Sequence, residues 1–229
     1  MTAAQLSPGS IEANSIPTQF NAATYFVDRN VAEGRGDSIA IECGDERVTY
    51  RQVLERVNRF GNALRQALGV RIEERVLLLL LDCPEYAYSF FGAMKIGAVP
   101  IPTSTLFKPA DYEYLLNDSR ARVIVVSEAL LPHLQAIPRQ RLRYLRDVIV
   151  VGNAPPGAQA FDELLAAAAP ELEAEPTSKD DTAFWLYSSG STGAPKGCVH
   201  LHHDMLVCTE LYVRGVLGMT ERDRCFSVA

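Results

Sequence analysis

Two hydrophobic spacings alternate along the chain, one near four residues and one near two, and each change of spacing marks an element. Residues 20–33 read as a helix stopped by Gly34-Arg35-Gly36, and residues 39–43 and 47–50 as strands around the turn pair Gly44-Asp45. Thr49 followed by Gln52 is the pattern of a capping box, in which side chain and backbone at a helix start satisfy each other. Val53, Val57, Phe60, Leu64 and Leu68 then recur at helical spacing up to Gly69. That predicts an amphipathic helix with both ends marked.

From there the expected order is strand 75–81, helix 84–96, strand 99–102, helix 109–117 and strand 122–127. The run Val76 to Leu81 is wholly apolar, as a strand buried on both faces requires. Strand and helix in strict alternation predict an α/β fold, a mostly parallel sheet with crossover helices. Asp82 is placed to cap the helix from 84, with Pro84 and Glu85 in its first turn. A further strand is expected over 147–151 and a short helix over 161–169. Residues 170–181 are acidic, contain proline and lack periodicity, so they read as a surface connection. They lead to TAFWLY at 182–187, an apolar strand whose Phe184, Trp185 and Tyr187 read as core packing, as Tyr86, Tyr88, Phe90 and Phe91 do on their helix. A helix over 201–217 and a strand over 224–228 complete the expected order.

Composition narrows the class. At 229 residues, 48% hydrophobic and 22% charged, the chain is that of a soluble globular protein able to bury a real core. A net charge of -6 with scattered Lys and Arg argues against nucleic acid as a partner, and the cluster Arg139, Arg141, Arg143 and Arg146 reads as a solvated face. No apolar run is long enough to span a membrane. Residues 1–19 lack a secretory pattern and read as a variable, flexible leader. Five cysteines, odd in number and without a CxxC pair, point to reduced thiols and a cytoplasmic location.

The densest chemistry lies in SSGSTGAPKG at 188–197. Ser188, Ser189, Ser191 and Thr192 supply donors, Gly190 and Gly193 permit close backbone approach, and Lys196 adds a compact ammonium. A strand, a glycine-rich loop and a following helix would converge N–H groups on an anion, with phosphate the natural ligand. A Ser/Gly run alone favours a flexible surface loop; the lysine, the proline and the preceding apolar strand shift the weight to the anion site. The spacing is not that of a Walker A loop, because Lys196 lies between Pro195 and Gly197. Pro195 fixes φ and so carries the lysine on a constrained segment. Cys198, His200, His202, His203 and Cys208 follow closely, but their spacing matches no standard zinc pattern and no metal is assigned to them. His200 is placed to touch the loop backbone, and His202 and His203 to lie at the surface of a helix start.

YSSGSTGAPKG resembles the phosphate-binding signature of the adenylate-forming ligases, the AMP-dependent synthetase superfamily of acyl-CoA synthetases, peptide-synthetase adenylation domains and luciferases. FWLYSSGSTGAPKGCVHLHHD, LLLLLDCPEYAYSFFGAMKIGAVPIP and KPADYEYLLNDSRARVIVVS are similar to the benzoate-CoA ligase branch, and the resemblance runs over residues 20–229. It implies that Ser188, Ser189, Gly190, Ser191, Thr192 and Gly193 bind the β- and γ-phosphates of ATP, with Lys196 the catalytic residue beside them. It also implies Mg2+, coenzyme A, and benzoate or a substituted benzoate as co-substrate. Ser191 stands where threonine is common in the superfamily, and Ser104 where relatives often have asparagine; Ser104 is given no role. Family members are much longer, so the chain reads as the N-terminal part of the AMP-binding domain. It would end before the acyl pocket and the C-terminal domain, and it is expected to complete neither half-reaction alone. An adenylation domain that loads a carrier protein and a non-catalytic nucleotide-binding fragment are the alternatives.

Overall fold

The computed structural model describes residues 15–188 and 193–227. A π-wound segment, Thr24–Asp28, continues into helix α1 (Arg29–Ala32) and stops at Gly34, where φ is +85°. Strands β1 (Ile39–Cys43) and β2 (Glu46–Thr49) pair antiparallel. Helix α2 (Tyr50–Asn62) starts on the expected capping box. Gln52 N–H donates to Thr49 Oγ1 at 3.3 Å, and Thr49 N–H donates to Gln52 Oε1 at 2.8 Å, so two donors that the first turn leaves open are satisfied. A π-wound turn, Ala63–Ala67, prolongs the helix.

The alternating region follows as β3 (Arg75–Leu79), α3 (Pro84–Lys95), β4 (Val99–Pro102), α4 (Pro109–Asp118), β5 (Val123–Ser127), α5 (Leu131–Gln135), β6 (Asp147–Val151), β7 (Gln159–Ala160) and α6 (Phe161–Ala167). The strands form one sheet in the order β4-β3-β5-β6-β7 with every pair parallel. Side chains alternate between its faces. Val76, Leu78, Val123, Val125 and Ile149 meet Val57, Phe60 and Leu64 of the α2 region and Tyr88 of α3. Leu77, Leu79, Ile124, Val126 and Val150 meet Tyr112, Leu115 and Leu116 of α4 and Leu131 and Leu134 of α5. Helices on both faces explain why the central strands are apolar without interruption.

Several expectations are corrected. The N-cap of α3 is Cys83 rather than Asp82, and its side chain makes no capping bond. Residues 170–181 lie at the surface as expected, and from residue 168 onward they form a strap laid across α2 and α3. Asn58 Nδ2 donates to Pro170 O, and Asn62 Nδ2 to Ala169 O and Glu171 O, each at 2.8 Å. Glu175 N–H donates to Lys95 O at 2.8 Å, and Thr177 is buried. With no ladder of its own, the strap has its carbonyls satisfied by amide side chains from distant helices. Packing also reaches back into the expected leader, since Ile16 is buried against Leu206 and Gln19 bridges Ser178.

The largest correction concerns the end of the chain. Between strand β8 (Thr182–Ser188) and the helix expected over 201–217 lies a strand absent from the expected order, β9 (Lys196–Leu201), and the two strands form an antiparallel hairpin. Only then comes α7 (His202–Cys208) with a π-wound extension, Thr209–Arg214. Pro195 disfavours a helical start before it, and β8 offers residues 196–201 a complete ladder. The described residues 224–227 form no strand, because no described ladder receives them. No helix among the described residues is long and apolar enough to cross a membrane.

Candidate functional site

The signature lies at the turn end of the β8–β9 hairpin. The ladder pairs Leu186 with Cys198, Tyr187 with Gly197 and Ser188 with Lys196, so the two strands are zipped up to the edge of the loop. Ser188 and Lys196 thus stand opposite each other at its mouth. Ser189, Gly190, Ser191 and Thr192 lie outside the described residues, and the chain resumes at Gly193 with φ +143°. Both Ser188 and Lys196 are exposed, and among the described residues Lys196 enters no ion pair. An ammonium beside a hydroxyl at a hairpin mouth is a donor set for an anion. The geometry differs from the expected strand–loop–helix cradle, because the helix begins six residues after Lys196 and its N-terminus is not part of the mouth.

Packing of the hairpin stem explains its composition. Gly197 lies beneath two rings: a Cβ there would stand 3.3 Å from Trp185 Cε3 and 3.4 Å from Tyr187 Cζ. A methyl group there would touch the Tyr187 ring and press on the Trp185 ring by a few tenths of an ångström. Tyr187 Oη donates to Asp118 Oδ2 at 2.6 Å, and Tyr114 Oη donates to Pro195 O at 3.0 Å. Burial, reinforced by the Asp118 carboxylate, holds the Tyr187 phenol well above its ordinary pKa, so it stays a donor. Phe184 stacks on His200 with centroids 4.6 Å apart and meets Phe90 of α3 edge-on at 5.4 Å. Phe184 and Tyr187 pack against the core as expected, but from a half-buried strand in which only Ala183 is fully buried and Leu186 is exposed. As half of a two-stranded ribbon beside β4, it can cover only one face. An open cleft of about 430 Å³ lies next to the stem, lined by Tyr114, Asp118, Glu113, Asn117, Ala110, Arg141 and Arg143.

The histidines separate. His200 turns to Phe184 and to Asp204, 3.7 Å away, rather than to the loop. His202 is buried, not at the surface: its Nδ1 accepts from Ala22 N–H at 3.1 Å, which leaves the proton on Nε2. Burial pushes its pKa down to about 4. His203 is partly buried, with Nδ1 3.0 Å from Lys179 O. Cys198 and Cys208 are exposed. His203 also lies 3.2 Å from both Asp180 and Asp204, and among the described residues no group of three His, Cys, Asp or Glu side chains is placed to hold a metal ion. The arginine cluster is exposed as expected, with Arg139 donating to Leu142 O and Leu145 O and Arg141 pairing with Glu113 at 2.8 Å. Sequence reasoning missed Tyr114 and Asp118, more than sixty positions from the loop. Their spacing of four shows only that they share a helix face.

Residues 28–229 match the protein family described as AMP-binding enzyme. The chain is 46% identical over 217 residues to a benzoate–CoA ligase of Thauera aromatica, covering 95% of this chain and 41% of that one. To a 4-hydroxybenzoate–CoA/benzoate–CoA ligase of Rhodopseudomonas palustris it is 40% identical, covering 92% and 38%. It therefore spans about two fifths of the length of these relatives. Among solved structures, an anthranilate CoA ligase in complex with anthranoyl-AMP superposes with a TM-score of 0.90 at 39% identity, covering 93% of this chain and 41% of that one. A benzoate CoA ligase from Burkholderia xenovorans LB400 gives 0.78 at 40%, covering 89% and 39%. With its parallel sheet, its hairpin-borne signature and these likenesses agreeing, the chain belongs to the AMP-binding enzyme family and has the fold of the N-terminal part of an adenylate-forming ligase.

Proposed function

We propose that the protein is an aryl-CoA ligase that activates benzoate or a substituted benzoate. A carboxylate oxygen attacks the α-phosphorus of ATP, the bond to the β-phosphate breaks, and pyrophosphate leaves the acyl-adenylate. The thiol of coenzyme A then adds to the acyl carbon, AMP departs, and the thiol proton is released with it. Activation is needed because a free carboxylate is a poor electrophile, whereas AMP is a good leaving group. The observation that carries this reading is the superposition on a ligase holding an aromatic acyl-adenylate, together with identity to benzoate–CoA ligases.

In this reading Ser188, Ser189, Gly190, Ser191, Thr192, Gly193 and Lys196 take the β- and γ-phosphates. Ser188 and Lys196, opposed at the hairpin mouth, supply a hydroxyl and an ammonium from two strands whose separation the ladder sets. Phosphoryl transfer needs mainly positioning and neutralised charge, and both come from such a mouth. Mg2+ accompanies the nucleotide phosphates, and no described residue is assigned to hold it. No residue of this chain is assigned to coenzyme A.

Lys196→Ala tests the reading in the full-length protein through benzoate-dependent ATP–pyrophosphate exchange. Removing one preorganised charge contact is expected to slow exchange by about 10²–10³-fold, or about 2.7–4 kcal/mol. An unchanged rate refutes the role of Lys196, and wild-type protein without carboxylate-dependent exchange refutes the function.

A further inference from the structure

Both legs of the hairpin are tied to a single helix, one at Tyr187 and the other at Pro195. Tyr114 and Asp118 stand one turn apart on α4 and share a face. The hydrogen bond from Tyr114 Oη to Pro195 O, 3.0 Å, reaches the β9 leg at the residue before Lys196. The bond from Tyr187 Oη to Asp118 Oδ2, 2.6 Å, reaches the β8 leg at the residue before Ser188. The helix holding both is itself immobilised, since Tyr112, Leu115 and Leu116 are buried against the parallel sheet.

A two-stranded ribbon is marginally stable alone and twists readily. The β8–β9 ladder fixes the spacing of Ser188 and Lys196 but not the direction in which the mouth points. Two bonds from one rigid element, one to each leg, remove that freedom. Pro195 suits the role because it has no N–H; its carbonyl is the one backbone group it can offer, and Tyr114 takes it. Gly197 suits it too, because its missing side chain lets the Tyr187 ring lie across the ladder on its way to Asp118.

We propose that Tyr114 and Asp118 are positioning residues for nucleotide binding: they clamp the hairpin stem so that Ser188 and Lys196 already face the incoming triphosphate. This rests on the hairpin mouth being the ATP phosphate site. Neither residue touches the nucleotide; each acts through the leg it holds. A preordered mouth spares the ligand the cost of ordering it, so losing the clamp raises the ATP concentration needed.

The test uses the full-length protein with Tyr114→Phe, Asp118→Ala and Asp118→Asn, read by benzoate-dependent pyrophosphate exchange. Deleting one neutral hydrogen bond is expected to raise the KM for ATP about 2–13-fold in Tyr114→Phe. Asp118→Ala, which leaves the Tyr187 hydroxyl without its carboxylate, raises it at least as much. Asp118→Asn keeps an acceptor oxygen and recovers most of the loss. The KM for benzoate and the melting temperature stay at wild-type values in Tyr114→Phe. A second readout comes from Trp185, the single tryptophan of the sequence, which lies on β8 two residues before Tyr187. Titration of its fluorescence with Mg-ATP shifts to higher concentration in Tyr114→Phe by the same factor. An unchanged ATP KM in both Tyr114→Phe and Asp118→Ala overturns the clamp while leaving the ligase reading intact. Equal rises in both substrates' KM with a lower melting temperature also overturn it, as the mark of a merely structural role. Wild-type protein without benzoate-dependent exchange removes the ligase reading itself, and the clamp's role with it.

Discussion

Replacing Gly92 with alanine sets a backbone gain against a steric loss. Gly92 of α3 is buried where α3 crosses α2, facing Gly61. A Cβ at position 92 would stand 2.9 Å from the Val57 carbonyl oxygen, 2.9 Å from Phe60 Cδ1 and 3.2 Å from Gly61 N. Carbon contacts settle at about 3.5–4.0 Å, so the new methyl must push something away. Two of the three neighbours are α2 backbone, and the third is a fully buried ring stacked on Phe161 at 5.2 Å. None is the free end of a flexible side chain. Alanine in place of glycine stabilises a helix by about 0.5–1 kcal/mol, whereas overpacking a well-filled core costs about 1–3 kcal/mol. The steric term wins, with a net loss of about 1–2 kcal/mol. In a chain of this size each kcal/mol moves the melting temperature by about 2–4 °C, so a fall of about 2–8 °C is expected. Circular dichroism on heating, and urea titration with an unchanged slope but a lower midpoint, measure it. A melting temperature equal to or above wild type would show that the two helices can part at no cost, and would refute the tight crossing.

His202 makes stability depend on pH. Burial lowers its folded pKa to about 4 from the ordinary 6.5, so the unfolded chain takes up the proton first. Its contribution is complete above about pH 6.5 and is lost as pH falls toward about 4, roughly 3 kcal/mol in all. The urea midpoint should drop over that window in wild type and flatten in His202→Leu; a wild-type midpoint constant from pH 7 to 5 contradicts the burial. Thr49→Ala removes the side-chain half of the α2 capping box and is expected to cost about 0.5–2 kcal/mol, read from the same titration. A loss below the lower figure would mean that Gln52 alone sustains the cap.

Local patterns account for much of the architecture. The capping box at Thr49 and Gln52, the stop at Gly34 and the β3–α3–β4–α4–β5 alternation each depend on interactions within a few residues or on burial of a whole strand. Such interactions leave a periodic trace in the chain itself. The hydroxyl, glycine and lysine content of residues 188–197 is likewise local, and it carries the resemblance to the signature of the adenylate-forming ligases. The folded chain alone settles the context of that signature. Residues 196–201 become a strand because β8 is there to pair with, and a ladder partner leaves no trace in the residues that accept it. The strap over residues 168–181 is held by Asn58 and Asn62, more than a hundred positions away. His202 is buried because the chain just before the Thr24–Asp28 segment places the Ala22 N–H against its ring. Tyr114 and Asp118 meet the hairpin for the same reason. Contacts between distant segments are chosen by how elements pack, and packing is a property of the assembled surfaces rather than of any one stretch of sequence.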